Sequence, residues 1–178
     1  MMNLSADSDR AIPLQEYKKM LGDQADLYAL HFKKALEEDL PYDVSGLKIL
    51  VITEPWCSDS TAVLPVIEKL FRKNNVEIRI LLRDQNPELM DQFLTNGGRS
   101  IPVFLFLDGQ GQFVMRFGPR PAAAQAIFEN HREDIKAGRI ERSEVSRKIR
   151  NFYARDRGQA IISEVIAGLK NVLEQEMP

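Results

Sequence analysis

One stretch, Leu47–Ser60 (LKILVITEPWCSDS), limits what this chain can fold into more than any other, and it holds the only cysteine and the only tryptophan. Ile49-Leu50-Val51-Ile52-Thr53 is a short, largely β-branched run bounded by Gly46 and Pro55, which reads as a buried strand. Just beyond it, Val63, Leu64, Ile67, Leu70 and Phe71 recur at helical spacing. A strand therefore delivers Cys57 to the first turn of a helix. Unpaired backbone N–H groups and the positive end of the helix dipole there favour a thiolate over a thiol. Against this stands the commoner fate of a lone cysteine, a small buried hydrophobe.

Downstream, Val76, Ile78, Ile80 and Leu82 alternate with Glu77, Arg79 and Arg83 as a strand with one apolar face. A strand–helix–strand unit with a crossover of roughly 20 residues implies parallel pairing and a right-handed connection. Pro87-Glu88 opens a short helix through Leu94, ended by Asn96-Gly97-Gly98. Val103–Leu107 is apolar throughout, as in a strand covered on both faces, and Asp108-Gly109-Gln110-Gly111 turns it into a partner strand, Gln112–Phe117. A helix over Ala122–Ala137 ends at Gly138. The chain reads as α/β, a central mixed sheet flanked by helices.

Both ends extend that unit. From Ile12 to Asp39, Leu14, Tyr17, Leu21, Ala25, Tyr28, Phe32 and Ala35 mark one face of a single long helix. Met20, Leu27 and Leu30 lie off the stripe and suggest burial on more than one side. His31 beside it reads as a surface or half-buried histidine, and residues 1–10 as a frayed tail. His131–Arg157 carries nine Lys/Arg and five Asp/Glu, with an apolar edge at Val145, Ile149 and Phe152. A solvated helix docked by that edge outweighs a phosphate- or RNA-binding patch. A final amphipathic helix, Ile161 to Leu173, could cover the domain or pair with a second copy as a homodimer. The predicted organisation is an N-terminal helical extension (1–46), a central domain (47–137) and a C-terminal helical extension (138–178) in one compact unit.

Composition narrows the partners. A net charge of −2 predicts neither a nucleic-acid nor a membrane partner, and no apolar run approaches the roughly 20 residues that span a bilayer. One unpaired cysteine and an N-terminus without basic or apolar signal regions point to the cytoplasm. No metal and no cofactor are expected.

Trp56-Cys57-Ser58-Asp59-Ser60, a helix with Pro65 eight residues past the cysteine, and Ser100-Ile101-Pro102-Val103 follow one another in order. Together they resemble the thioredoxin superfamily, over roughly Leu47 to Ala137. Leu89–Phe104 and Asn151–Gly158 resemble a bacterial group of thioredoxin family proteins whose motif reads WCxD followed by Cys or Ser. The resemblance implies the thioredoxin fold and a cis proline at Pro102 set against the sulfur, where a carbonyl and amide could pair an extended substrate. Two departures matter. The second cysteine of the family's Cys-x-x-Cys motif is Ser60, and Val51 stands where many dithiol members carry a buried aspartate. The motif is CxxS, so no intramolecular disulfide can form.

In such a site Ser60 could donate a hydrogen bond to the sulfur, while Asp59 and Glu54 would raise its pKa. Arg99 is the expected compensating cation, and a modest net depression of the Cys57 pKa is expected. Trp56, Ser58, Asp59, Arg99, Ile101 and Pro102 are the candidate substrate-binding residues around the catalytic candidates Cys57 and Ser60. Two functions fit. The first is monothiol thiol–disulfide exchange, with protein thiols or disulfides or a low-molecular-weight thiol as partners and an external thiol to resolve the mixed disulfide. The second is a redox-inactive module that binds protein through a Trp56/Pro102 groove. Iron–sulfur binding as in monothiol glutaredoxins lacks its Cys-Gly-Phe-Ser motif here.

Overall fold

The computed structural model describes residues 2–175; Met1 and residues 176–178, the outer ends of the two expected extensions, lie outside the described residues. Its elements are α1 (Ser5–Arg10), β1 (Ile12–Pro13), α2 (Leu14–Lys18), α3 (Ala25–Lys34), β2 (Lys48–Thr53), α4 (Ser58–Phe71), β3 (Glu77–Leu82), α5 (Pro87–Met90), β4 (Val103–Leu107), β5 (Phe113–Phe117), α6 (Ala122–Lys136), α7 (Arg142–Asp156) and α8 (Gln159–Gln175). The sheet order is β1-β3-β2-β4-β5. β2 runs parallel to β3 and antiparallel to β4, and β4 forms the expected hairpin with β5. This is the mixed α/β sheet that the strand patterns imply, in the thioredoxin-like order that the resemblance implies.

β2 and β4 are apolar at nearly every position because both of their faces are covered. Side chains of a strand alternate, so Ile49 and Val51 with Phe104 and Phe106 join the core under α4 and α8. Leu50 and Ile52 with Val103, Leu105 and Leu107 join a second cluster on the opposite face. Ile49 through Ile52 are each no more than 1% exposed, and each such side chain stabilises the fold by about 1.5–3 kcal/mol relative to exposure.

The N-terminal region departs from the single long helix. Ile12-Pro13 instead forms a strand that pairs with β3, opposite Ile80 and Arg79. Gly22 has φ +56°, which an α-helix cannot continue through, so the chain divides into α2, a single 3-10 turn and α3. Leu14, Tyr17, Leu21, Tyr28 and Ala35 are buried as the stripe requires, whereas Ala25 is exposed. Met20, Leu27 and Leu30 are exposed, which corrects the expectation of burial on more than one side. His31 is half-buried.

Residues 2–10 are not a frayed tail. Leu4 N–H donates to the Gly111 carbonyl, Asn3 bridges Gln112, and Leu4 is buried among Leu50, Leu107 and Phe93. A polar composition hid one apolar anchor. At the other end, α8 buries Ile161, Ile162, Val165 and Leu169 against α4 and β5, so it covers the domain. The apolar edge of α7 is Val145, Ile149 and Tyr153; Phe152 is only partly buried. No helix among the described residues is long and apolar enough to cross a membrane.

Because Leu4 closes the second apolar layer, Leu4→Ala should destabilise the protein by about 2 kcal/mol or more, read from the urea midpoint. A tail that contributed nothing to the core would leave the midpoint unchanged.

Candidate functional site

β2 hands the chain to α4 through Glu54-Pro55-Trp56, and Cys57 is the N-cap of α4 (φ −75°, ψ 116°). The turn is closed by the Cys57 N–H donating to the Glu54 carbonyl at 3.1 Å. The Glu54 side chain accepts the Asp84 N–H at 2.9 Å, and the Tyr17 hydroxyl donates to the Glu54 carbonyl at 3.3 Å. Both contacts bind the turn to neighbouring elements.

Across from Cys57, the Ile101–Pro102 bond is cis, as the resemblance implies. The thiol faces the Ile101 carbonyl oxygen at 3.6 Å and donates to it. Gly118 packs on the far side with φ +102°, where an added Cβ would lie 2.5 Å from the Pro102 carbonyl oxygen. Only glycine lets that backbone approach so closely. The following bond, Gly118–Pro119, is also cis, and no local sequence signal marks it.

Beneath the sulfur lies a buried hydroxyl pair. Ser60 and Thr53 hydrogen-bond to each other and are 1% and 0% exposed. With Thr53 donating, the Ser60 proton is available to the sulfur, and this hydrogen bond favours the thiolate. It does not decide the outcome. Burial of Cys57, which is 8% exposed, is the largest influence and pushes the thiol up from its ordinary value. The Asp59 charge adds to the rise, while the backbone N–H groups of Asp59 and Ser60 oppose it. The Ile101 carbonyl acts in the same sense as burial, because it accepts from the thiol and would face a thiolate without a proton between them. The expected net depression is therefore overturned: the helix terminus is present, but desolvation outweighs it.

The expected compensating cation is elsewhere too. Arg99 is exposed and binds Asp91 through both carboxylate oxygens, at 2.7 and 2.9 Å. The guanidinium next to the motif is Arg120, from the loop after Gly118-Pro119, whose Nε lies 3.1 Å from both Asp59 oxygens. Asp59 also accepts the Tyr153 hydroxyl at 2.9 Å, so α7 reaches back to the first turn of α4. Burial, followed by the neighbouring Asp59 carboxylate, raises the Tyr153 pKa and keeps its proton in place.

A cleft of about 670 Å³ opens at this point, lined by Cys57, Trp56, Ser58, Asp59, Ser100 and Ile101 on one side and by Arg120 with parts of α6 and α7 on the other. Trp56 stands at its edge, 60% exposed, with the Arg83 guanidinium 5.1 Å from its ring centroid. Cys57, Trp56, Ser58, Asp59 and Ile101 thus come together. Pro102 is buried behind Ile101, Ser60 lies beneath the sulfur, and Arg99 stands apart with Asp91. Thr53, Arg120 and Tyr153 were not among the candidate residues. Thr53 was visible as a polar side chain ending a buried apolar strand, and Tyr153 as the next i+4 position after Val145 and Ile149. Arg120, 61 residues from Asp59, had no local signal. Among the described residues no group of three or more His, Cys, Asp or Glu is placed to hold a metal ion.

No curated protein matches the sequence at a significant level. Among solved structures, an HIV epitope-scaffold is similar at 18% identity and a TM-score of 0.70, and PA1234, a protein of unknown function from Pseudomonas aeruginosa, at 20% and 0.68. Each alignment covers 96% of this chain and 99% of the other, so the likeness in fold includes both terminal additions. The family model Thioredoxin_9, described as thioredoxin, matches residues 16–136, beginning well before the strand at which the sequence resemblance starts. The chain belongs to this thioredoxin family, as a member with a single, buried cysteine.

Proposed function

We propose that Cys57 is a monothiol centre of thiol–disulfide exchange, and the observation that carries this is the placement of its sulfur. The one thiol of the chain caps a helix, faces a backbone carbonyl at 3.6 Å and lines an open cleft. Its thiolate attacks a partner disulfide, one S–S bond forms as another breaks, and half of the partner leaves as a thiol. With Ser60 at the second motif position, a thiol from outside the chain completes the cycle.

The raised pKa shapes this chemistry. Less thiolate is present at neutral pH, yet the thiolate that forms is intrinsically more nucleophilic. A thiol of high pKa is also the poorer leaving group, so an attacking thiol expels the partner's sulfur more readily than that of Cys57. Release of Cys57, which needs attack on the partner's sulfur, is therefore the slower exchange and the one that limits turnover. Protein thiols and disulfides, or small thiols, fit as partners on the same chemical grounds.

A second function, a redox-inactive module that binds protein, is favoured by two observations: the buried thiol, and Trp56 standing 60% exposed at the cleft edge. Its groove would run between Trp56 and Ile101, because Pro102 is buried.

Alkylation of Cys57 followed against pH should titrate above the free-cysteine value of about 8.5, since burial favours the protonated form. Ser60→Ala should move that midpoint further up by removing a hydrogen bond to the thiolate. After incubation with 2-hydroxyethyl disulfide, intact-mass measurement should find an adduct on Cys57 that dithiothreitol removes. Absence of any adduct at pH 9 would leave the binding module. Ser60→Cys should create an intramolecular disulfide and insulin-reducing activity; continued inactivity of a folded variant would count against exchange.

A further inference from the structure

We infer that the cleft beside Cys57 selects small anionic disulfides, those carrying carboxylates on the groups attached to sulfur. This rests on the exchange function proposed above and names its substrate class. The first observation is charge. The lining includes Arg120, Arg132, Lys136 and Arg142, against a single acid, Asp59, which Arg120 already engages. Two of these cations are themselves paired, Arg132 with Glu129 at 2.7 Å and Lys136 with Glu133 at 4.0 Å; both pairs are exposed, and neither glutamate lines the cleft. Among the described residues no carboxylate lies within ion-pairing distance of Arg142.

The second observation is how the cations are gathered. The guanidinium carbons of Arg120, Arg132 and Arg142 lie 5.5, 5.5 and 5.8 Å from the ring centroid of one residue, Phe128. A ring has two negative faces, so three cations around it are attracted to the ring and repel one another. A bound anion would relieve that repulsion. The third observation is an unmet donor: Arg132 Nε is buried and has no hydrogen-bond partner. Guanidinium donors match carboxylate oxygens in geometry and charge. The volume, about 670 Å³, falls in the range of small-molecule sites, which favours a free disulfide over a folded partner.

The step balances without any further reactant. The Cys57 proton passes to solvent, and the thiolate attacks one sulfur of R–S–S–R. The Cys57–S–S–R bond forms, the original S–S bond breaks, and R–S⁻ departs and takes a proton from solvent. Cys57 is oxidised and the departing half is reduced.

The test measures rates of adduct formation on Cys57 by intact mass at low salt, using oxidised glutathione (anionic), 2-hydroxyethyl disulfide (neutral) and cystamine (cationic). Each rate is divided by that of a neutral free thiol with the same disulfide. The anionic probe should exceed the cationic one by about tenfold, a ratio that 0.5 M salt reduces towards one. The pair Arg132→Gln and Arg142→Gln should abolish the preference, while Arg147→Gln with Lys148→Gln, on α7 outside the cleft lining, should retain it. No anionic preference, or one indifferent to Arg132 and Arg142, overturns the inference while adducts with the neutral probe still uphold exchange. If no probe reacts, exchange fails and the cleft is judged by binding alone. S-methylglutathione titrated into Cys57→Ser should then shift the Arg132 Nε–Hε resonance saturably, and no shift would overturn the inference.

Discussion

The register of β2 against β4 is the constraint on which the site depends. Ile52 stands opposite Val103, so the two strands stop together at one end of the sheet and part there. One chain goes on through Thr53 and Glu54 to Cys57; the other arrives through Ile101 and Pro102. The sulfur meets the Ile101 carbonyl because these two ends are neighbours. A slip of one residue would turn Leu50 and Ile52 from one apolar layer into the other and misalign the two loops together. The same burial that stabilises the strands therefore fixes the position of the only thiol.

Holding the sulfur so firmly has an electrostatic consequence. A helix N-terminus provides backbone N–H groups, and Ser60, steadied by Thr53, provides a hydroxyl. In an open site these would lower a thiol's pKa. Here the thiol is enclosed, donates to a carbonyl and lies close to Asp59, and the balance runs the other way. Asp59 is not incidental to the fold, since Arg120 and Tyr153 both bind it and join the β5–α6 loop and α7 to α4. The carboxylate that disfavours the thiolate also ties the cleft wall to the motif.

Much of this was legible from the chain alone, for a physical reason. β2, β4 and α4 are specified by local patterns of apolar residues, and Cys57, Trp56 and Ile101-Pro102 sit at their ends, so the central unit could be read by periodicity and spacing. The N-terminal region misled because its stripe fits a helix with one flaw, Gly22, and because Leu4 is a lone apolar residue in a polar segment. The Cys57 pKa misled because it sums opposing influences, and the largest of them, burial, depends on how the whole chain closes over the motif. Arg120 could not be found at all: an arginine between two prolines has no periodic signature, and its partner Asp59 is distant in sequence.

α6 and the C-terminal addition together change what a thiol at the end of the central strand can meet. In the fold's central part the sulfur, Trp56 and Ile101 share one end. α7 places Val145, Ser146 and Ile149 along the far side of the cleft, and α6 places Phe128, Arg132 and Ile135 there, so the sulfur faces a space between walls. Those walls are held at the motif itself by Tyr153 on Asp59. An enclosed thiol loses ionisation, and it gains surroundings that can discriminate among partners. The chain as a whole carries a net −2, whereas the cleft lining holds four cations and one carboxylate, with Glu129 and Glu133 pairing two of the four from outside it. The charge at the cleft thus comes from α6 of the central unit and α7 of the C-terminal addition together, while the strand and helix that meet at Cys57 hold the sulfur.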